Sequence, residues 1–402
     1  MQRRHFLETL AAGAVAGTAG TLGSASAKPT PAVPLLPGPL LKTPAVMMAP
    51  RSDGLEVVWA VGRLARGWVE WKGPDGTSGK AAETSFGFVP QGERVMRVRL
   101  DGLKPGTEYQ LRAVAEAGDG TPAREEGPWR TFRTLDPKAA TTQFAVWNDT
   151  HQWADTLKKL HEVTPKADFL VWNGDTCNDW AQEEWLAPTL LHPGEQDISA
   201  GRPLMVIWGN HDVRGKWAFK MPEWVATPDG RPYHAFRSGP VACICLHTGE
   251  DKPDNHPSFG GRVAFDALRR EQADWLAQAI VRPEIRDAPY RVVFCHIPLR
   301  WHKESQAAYD QGGYDTHSQR SRDAWHGSLV AWGAQVVISG HTHQTASIPA
   351  TSEFPYAQWV GGGPQLERAT RITGTADATS LHLVMHDLAG KVVQQANFQP
   401  LA

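Results

Sequence analysis

The chain has 402 residues, with 41 Lys and Arg against 43 Asp and Glu and a formal net charge of −2. Near-neutrality leaves no electrostatic footprint for bulk nucleic-acid binding, and four Cys are too few for a disulfide scaffold. An apolar fraction of 41%, 17 Trp, and 38 Gly with 30 Pro exclude a disordered chain, a coiled coil, collagen and a polytopic membrane protein.

The first residues read as an address. Arg3-Arg4 precede an Ala/Gly-rich, uncharged stretch at 10–23, and Ala25-Ser26-Ala27 has the small-residue pattern cut by signal peptidase. Residues 1–27 thus resemble a twin-arginine (Tat) signal, which implies export of a folded chain to the periplasm or beyond. The stretch is too short and too weakly apolar for a stable membrane span. Prolines at 29, 31, 34, 37, 39, 44 and 50 predict a linker over 28–50.

From 51 to 135 the pattern is short alternating strands between Gly/Pro turns: Leu55-Glu56-Val57-Val58-Trp59, Gly67-Trp68-Val69-Glu70-Trp71, and Val95 to Leu100. Leu103-Lys104-Pro105-Gly106-Thr107-Glu108-Tyr109 suits a tyrosine corner, whose hydroxyl bonds back to the preceding loop. With Trp59 as a core anchor, this segment is similar to a fibronectin type III sandwich or the N-terminal sandwich of purple acid phosphatases. It carries no catalytic constellation.

After Leu135-Asp136-Pro137 apolar runs alternate with amphipathic segments at 154–163, 265–280 and 322–333, which predicts an α/β domain over 140–398. Five of the runs end alike. Phe144 to Trp147 leads into Asn148-Asp149-Thr150-His151, Phe169 to Trp172 into Asn173-Gly174-Asp175, and Leu204 to Trp208 into Gly209-Asn210-His211-Asp212. Val292 to Cys295 ends at His296, and Val336 to Ser339 at Gly340-His341-Thr342-His343. Ligands of open α/β sheets sit beyond the carboxyl ends of strands, so five strands deliver Asp, His and Asn to one rim.

Imidazole and carboxylate without thiolate suit Zn, Fe, Mn, Co or Ni. Asp149, His151, Asp175, Asn210, His296, His341 and His343 are too many donors for one tetrahedral ion. With one bridging carboxylate they make two four-ligand sites. Two ions about 3.5–4 Å apart clamp both sides of an in-line displacement at phosphorus.

The ordered set Asp-x-His, Gly-Asp, Gly-Asn-His-Asp, His, Gly-His-x-His resembles the calcineurin-like metallophosphoesterase superfamily over roughly residues 140–398. The resemblance implies a four-layer αββα metallophosphoesterase sandwich preceded by the all-β fibronectin III-like sandwich. It implies two transition-metal ions, Fe, Mn or Zn foremost, with Asp149, His151, Asp175 and His343 on one. Asp175, Asn210, His296 and His341 hold the other, Asp175 bridging. His211 is then the non-ligand histidine that stabilises the transition state or protonates the leaving oxygen, and Asp212 orients its ring. Metal-activated hydroxide attacks a small-molecule phosphoester in line. Monoesters and diesters both fit these motifs, and a non-catalytic metal-binding envelope scaffold is the alternative from another class. Purple acid phosphatases carry a Tyr ligand three residues after the bridging Asp, where this chain has Asn178, and they lack the His151 ligand. No purple charge-transfer band is expected.

Other residues read more blandly. His247 follows the strand Val241 to Leu246 and is expected to bond locally rather than serve substrate. Segment 299–321, with Arg300, His302, Lys303, Tyr309, Tyr314, His317 and Arg320, is either a substrate-contacting loop or a solvated one. Gly361-Gly362-Gly363 reads as a strand-ending turn. Cys243, Cys245 and Cys295 read as buried free thiols, with a disulfide of Cys177 left open.

Overall fold

The apolar runs become strands, and their pairing decides where the polar motifs meet. In the computed structural model, which describes residues 38–301 and 318–401, Thr142–Trp147, Phe169–Asn173 and Leu204–Ile207 run parallel, side by side. Val241–Leu246, Tyr290–Cys295, Val336–Ser339 and Ala357–Val360 form a second parallel set. Thr370–Ala376, Leu381–Asp387 and Val392–Phe398 extend the first set antiparallel, and His234–Ser238 and Ala346–Ile348 flank the second. Both sheets are therefore mixed. The central strands are buried along their whole length, as strands covered on both faces must be.

The two sheets face each other. Phe144, Val146, Phe169 and Met205 of the first meet Val292, Phe294, Ile338 and Trp359 of the second in one core. Behind the first sheet, Trp147, Leu170 and Trp172 pack on Leu157 and Leu160 of helix Ala154–Val163, whose apolar residues recur at helical spacing. Behind the second, Ile244, Val293 and Val337 pack on Leu276 of helix Phe265–Ala279 and on Trp325 and Leu329 of helix Gln319–Trp332. Each such Leu, fully buried, contributes about 1.5–3 kcal/mol. The last helix starts at Ser318, whose hydroxyl accepts from the Ser321 amide, and stops at Gly333 with φ 75°. The layer order is helices, sheet, sheet, helices, and the expected amphipathic segments are these helices.

The N-terminal strands differ from expectation in how they are attached. Val46–Met48 lies within the stretch read as a linker, yet it is buried and paired. It runs antiparallel to Leu55–Ala60 and parallel to Leu204–Ile207. Through it Leu55–Ala60 and Val95–Leu100 join the first sheet, which reaches nine strands among the described residues. The prolines that suggested a linker, Pro44 and Pro50, only bracket this strand. Ala65–Lys72 and Glu108–Ala117 form a separate small sheet over the same strands, and Trp59, Leu111 and Phe132 fill the core between.

The Tyr109 hydroxyl accepts a 3.0 Å hydrogen bond from the Lys104 amide, the loop bond expected of a tyrosine corner. Tyr109→Phe should cost about 0.5–1.5 kcal/mol in chemical denaturation, because the Lys104 N–H loses its partner. An unchanged midpoint would show that this bond adds nothing.

Among the described residues no helix is long and apolar enough to cross a membrane. The Tat-like signal, the start of the proline-rich stretch and residues 302–317 lie outside the described residues. Of the 299–321 segment, Arg300 donates to the carbonyls of Pro349 and Tyr356 and so braces the fold, whereas Arg320 makes a solvent-exposed pair with Asp266 at 3.6 Å. All four cysteines are free and buried, including Cys177.

Candidate metal centre

The turns after five strands bring the motif residues together. Asp149, His151 and His343 form one cluster and Asp175, His296 and His341 another, with the candidate ligand atoms of each within 4.8 Å of one another. Asn210 joins the second cluster through its Oδ1, 2.9 Å from His341 Nδ1. Five of these seven residues have left-handed backbone: Asp149 (φ 50°), His151 (44°), Asp175 (50°), His341 (72°) and His343 (53°). Such conformations cost roughly 1–3 kcal/mol each for residues with a Cβ and persist where function demands them. They turn each strand end sharply enough for its side chain to face the shared rim.

Hydrogen bonds fix which atom each ligand presents. His151 donates from Nδ1 to the Cys177 carbonyl (3.0 Å) and His296 from Nδ1 to the Asn173 carbonyl (2.9 Å), so both aim Nε2 into the centre. The buried His296 Nε2 lies 3.2 Å from Asp175 Oδ2 without hydrogen-bond geometry to any partner. Both Asp149 oxygens accept from the His341 amide at 2.8 Å, and Asp175 Oδ1 accepts from the His211 amide at 2.8 Å.

Burial dominates the electrostatics. It lowers the His151 and His341 imidazoles to about 4, so both keep a lone pair at neutral pH. It pushes the Asp149 carboxyl up to about 8 against the pull of His296. Burial alone would lower His296, but the Asp175 and Asp149 carboxylates outweigh it and raise the ring to about 10. Burial likewise opposes ionisation of Asp175, yet the adjoining His296 holds its carboxyl well below the usual range. Two carboxylates and four imidazoles converging without a thiolate are a donor set for divalent cations, and the candidate ligand atoms fall into two groups, so the residues present fit the two-metal group.

Small residues make the closeness feasible. A Cβ on Gly340 would stand 2.1 Å from Asp149 Oδ2. Gly340→Ala should therefore displace the carboxylate and lower activity at least about a hundredfold, read together with metal content. Wild-type turnover would show that the loop yields. The Gly361–Gly363 turn follows the Ala357–Val360 strand and packs against Asn148 and His343, so this glycine run serves the centre from behind.

His211 sits beside the clusters, its ring 5.0 Å from that of His151. The expected partnership with Asp212 is not what holds it. Asp212 is fully buried and accepts from the Thr176 amide and hydroxyl and from the Gly209 amide, fixing the turns around Asp175 and Asn210. Adjacent residues in a tight turn point different ways, which is why sequence neighbours made a poor guide here. The His211 Nδ1–H instead faces the Asn178 carbonyl (2.7 Å) and Asp179 Oδ1 (2.8 Å), while Arg214 Nη1 lies 3.2 Å from Nε2. Burial lowers the His211 imidazole, but Asp179 and Asp175 outweigh it and leave it raised. Sequence reasoning missed Asp179 and Arg214; the nearness of Asp179 to the Gly174-Asp175 motif was the available signal.

Residues 142–345 match the family described as calcineurin-like phosphoesterase, and the chain belongs to that family of phosphoester hydrolases. It is 27% identical over 196 residues to the serine/threonine-protein phosphatase CPPED1 of Mus musculus, covering 47% of this chain and 58% of that protein. The Bos taurus CPPED1 is 26% identical over 237 residues, covering 55% and 71%. The match thus spans little more than half of the mouse relative's length.

Two solved structures share the fold at 14% identity. The purple acid phosphatase PPD1 from yellow lupin (Lupinus luteus) has a TM-score of 0.67, covering 89% of this chain and 74% of its own. A structure titled PhoD has a TM-score of 0.59, covering 89% and 92%.

Proposed function

We propose that the chain hydrolyses small phosphoesters at a binuclear metal centre. Asp149, His151, Asp175 and His343 would hold one ion, and Asp175, Asn210, His296 and His341 the other. The observation that carries this reading is the position of Asp175 Oδ2, 3.8 Å from His151 Nε2 and 3.2 Å from His296 Nε2, one histidine of each cluster. A carboxylate so placed would serve both ions. Fe, Mn or Zn suit this donor set.

When bound, such a pair supplies a water of lowered pKa and positive charge against the phosphoryl oxygens. The chain's own residues do the rest. The carbonyls of Cys177 and Asn173 hold His151 and His296 in the tautomer that presents Nε2. Asp179 and the Asn178 carbonyl hold the His211 Nδ1–H, which leaves Nε2 to give a proton to the leaving oxygen. Arg214, itself held by Glu250 and Asp251, donates toward that nitrogen here, so Nε2 carries its proton only when the substrate oxygen takes the place of Arg214 beside it.

The test is metal content together with kcat/KM on an aryl phosphomonoester and the matching diester, before and after chelation. About two metals per chain and metal-dependent turnover are expected. The better ester decides between phosphatase and phosphodiesterase. Two bound metals with no turnover of either ester would sink the hydrolase reading in favour of a metal-binding scaffold.

The twin arginines and Ala25-Ser26-Ala27 support export by the Tat route to the periplasm or beyond. Replacing Arg3 and Arg4 together by Lys should hold the full-length precursor in the cytoplasm. The Trp59 core and the Tyr109–Lys104 bond support a fibronectin III-like arrangement of residues 51–135.

A further inference from the structure

We propose that the cavity beside His211 is the pocket for the leaving group and that it takes an aromatic ring, which makes aryl phosphoesters the substrate class. This inference rests on the hydrolase reading above and on His211 as the group that meets the leaving oxygen.

The cavity has a volume of about 770 Å³, within the range of sites that enclose a whole small molecule. Asp179 and Arg214 belong to its wall, and both touch the His211 ring. An ester whose leaving oxygen lies at His211 Nε2 therefore directs the remainder of its alcohol half into this space.

The wall is built for a flat, uncharged group. Trp208, Phe219, Phe259 and Phe265 line it. The Trp208 ring lies 5.6 Å from that of His247, and His247 lies 5.8 Å from Phe265, both edge to face. Phe219 stacks on Trp217 with ring centres 6.1 Å apart, yet among the described residues 69% of it remains exposed. Ring faces and edges of this kind favour another ring over an alkyl chain of equal area. Of the charges on the wall, Arg214 is paired with Glu250 and Asp251, and Asp179 faces His211. Arg262 is held by the carbonyls of Phe259 and Gly215 and leaves a positive edge to the cavity, which suits the face of an electron-rich ring.

Binding and turnover test the pocket separately. The full chain, titrated calorimetrically in chelator, should bind benzyl alcohol at least about tenfold tighter than cyclohexylmethanol, which has the same number of carbons. Phe219→Ala removes the exposed ring, and Ala264→Trp fills the cavity from its rim; both should weaken the aromatic alcohol. With metal restored, kcat/KM is measured for phenyl phosphate and 2-methoxyethyl phosphate, each variant against wild type on the same ester so that intrinsic leaving-group reactivity cancels. Both variants should lower the aryl value about tenfold more than the alkyl value. Equal losses on the two esters, or equal binding of the two alcohols, would overturn the assignment. Selective alcohol binding by a protein that hydrolyses neither ester would retain the aromatic pocket and defeat the hydrolase reading instead.

Discussion

Asp175→Ala should empty both metal positions at once, reducing bound metal from about two ions per chain to nearly none and turnover by about a thousandfold or more. The reason is geometric. Asp175 Oδ2 faces a histidine from each cluster, at 3.8 Å and 3.2 Å. Asp149 Oδ1 faces His343 and His296 at 3.6 Å and 3.8 Å, so the variant's metal content separates the two carboxylates. His151→Ala, by contrast, should release a single ion, because the Asp175, His296 and His341 group stays intact. Asp175→Asn keeps the side-chain volume and separates loss of ligation from loss of packing. Retention of two metals in the alanine variant would refute the shared-carboxylate arrangement.

His211→Ala should leave both ions bound and lower kcat by about 10²–10⁴-fold, the range for removal of a proton-transferring side chain. The loss should be larger for esters with poor leaving groups, which depend most on protonation. Asp179→Asn should act in the same direction but more weakly, about 10–100-fold, since it keeps the ring present while loosening its hold. If the alanine variant kept wild-type turnover, His211 would have no part in the chemistry.

The two clusters of Asp and His were legible in sequence because coordination narrows the residue types, and the strands that carry them were apolar enough to be seen. The left-handed turns at Asp149, His151, Asp175, His341 and His343 were not legible, since Asp and His do not advertise positive φ as glycine does. The partner of His211 was misread for a related reason. Asp212 is its neighbour in the chain, but the tight turn sends that carboxylate to Thr176 and Gly209 and leaves the ring to Asp179. The strand Val46–Met48 was hidden because three residues between prolines carry too little pattern. What makes it a strand is Leu204–Ile207, which no local window contains.

That last pairing sets an order of events. The Met47 amide reaches Ser199 Oγ across 152 residues of chain, and the parallel edge beyond it belongs to the catalytic sheet. Contacts of such high sequence separation form late, because loop closure opposes them until much of the chain is in place. During synthesis the N-terminal strands wait with an unpaired edge until residue 207 has emerged. A fragment ending near residue 135 keeps that edge open for good, and its characteristic failure is self-association through it. The N-terminal layer and the catalytic layer therefore come to completion together.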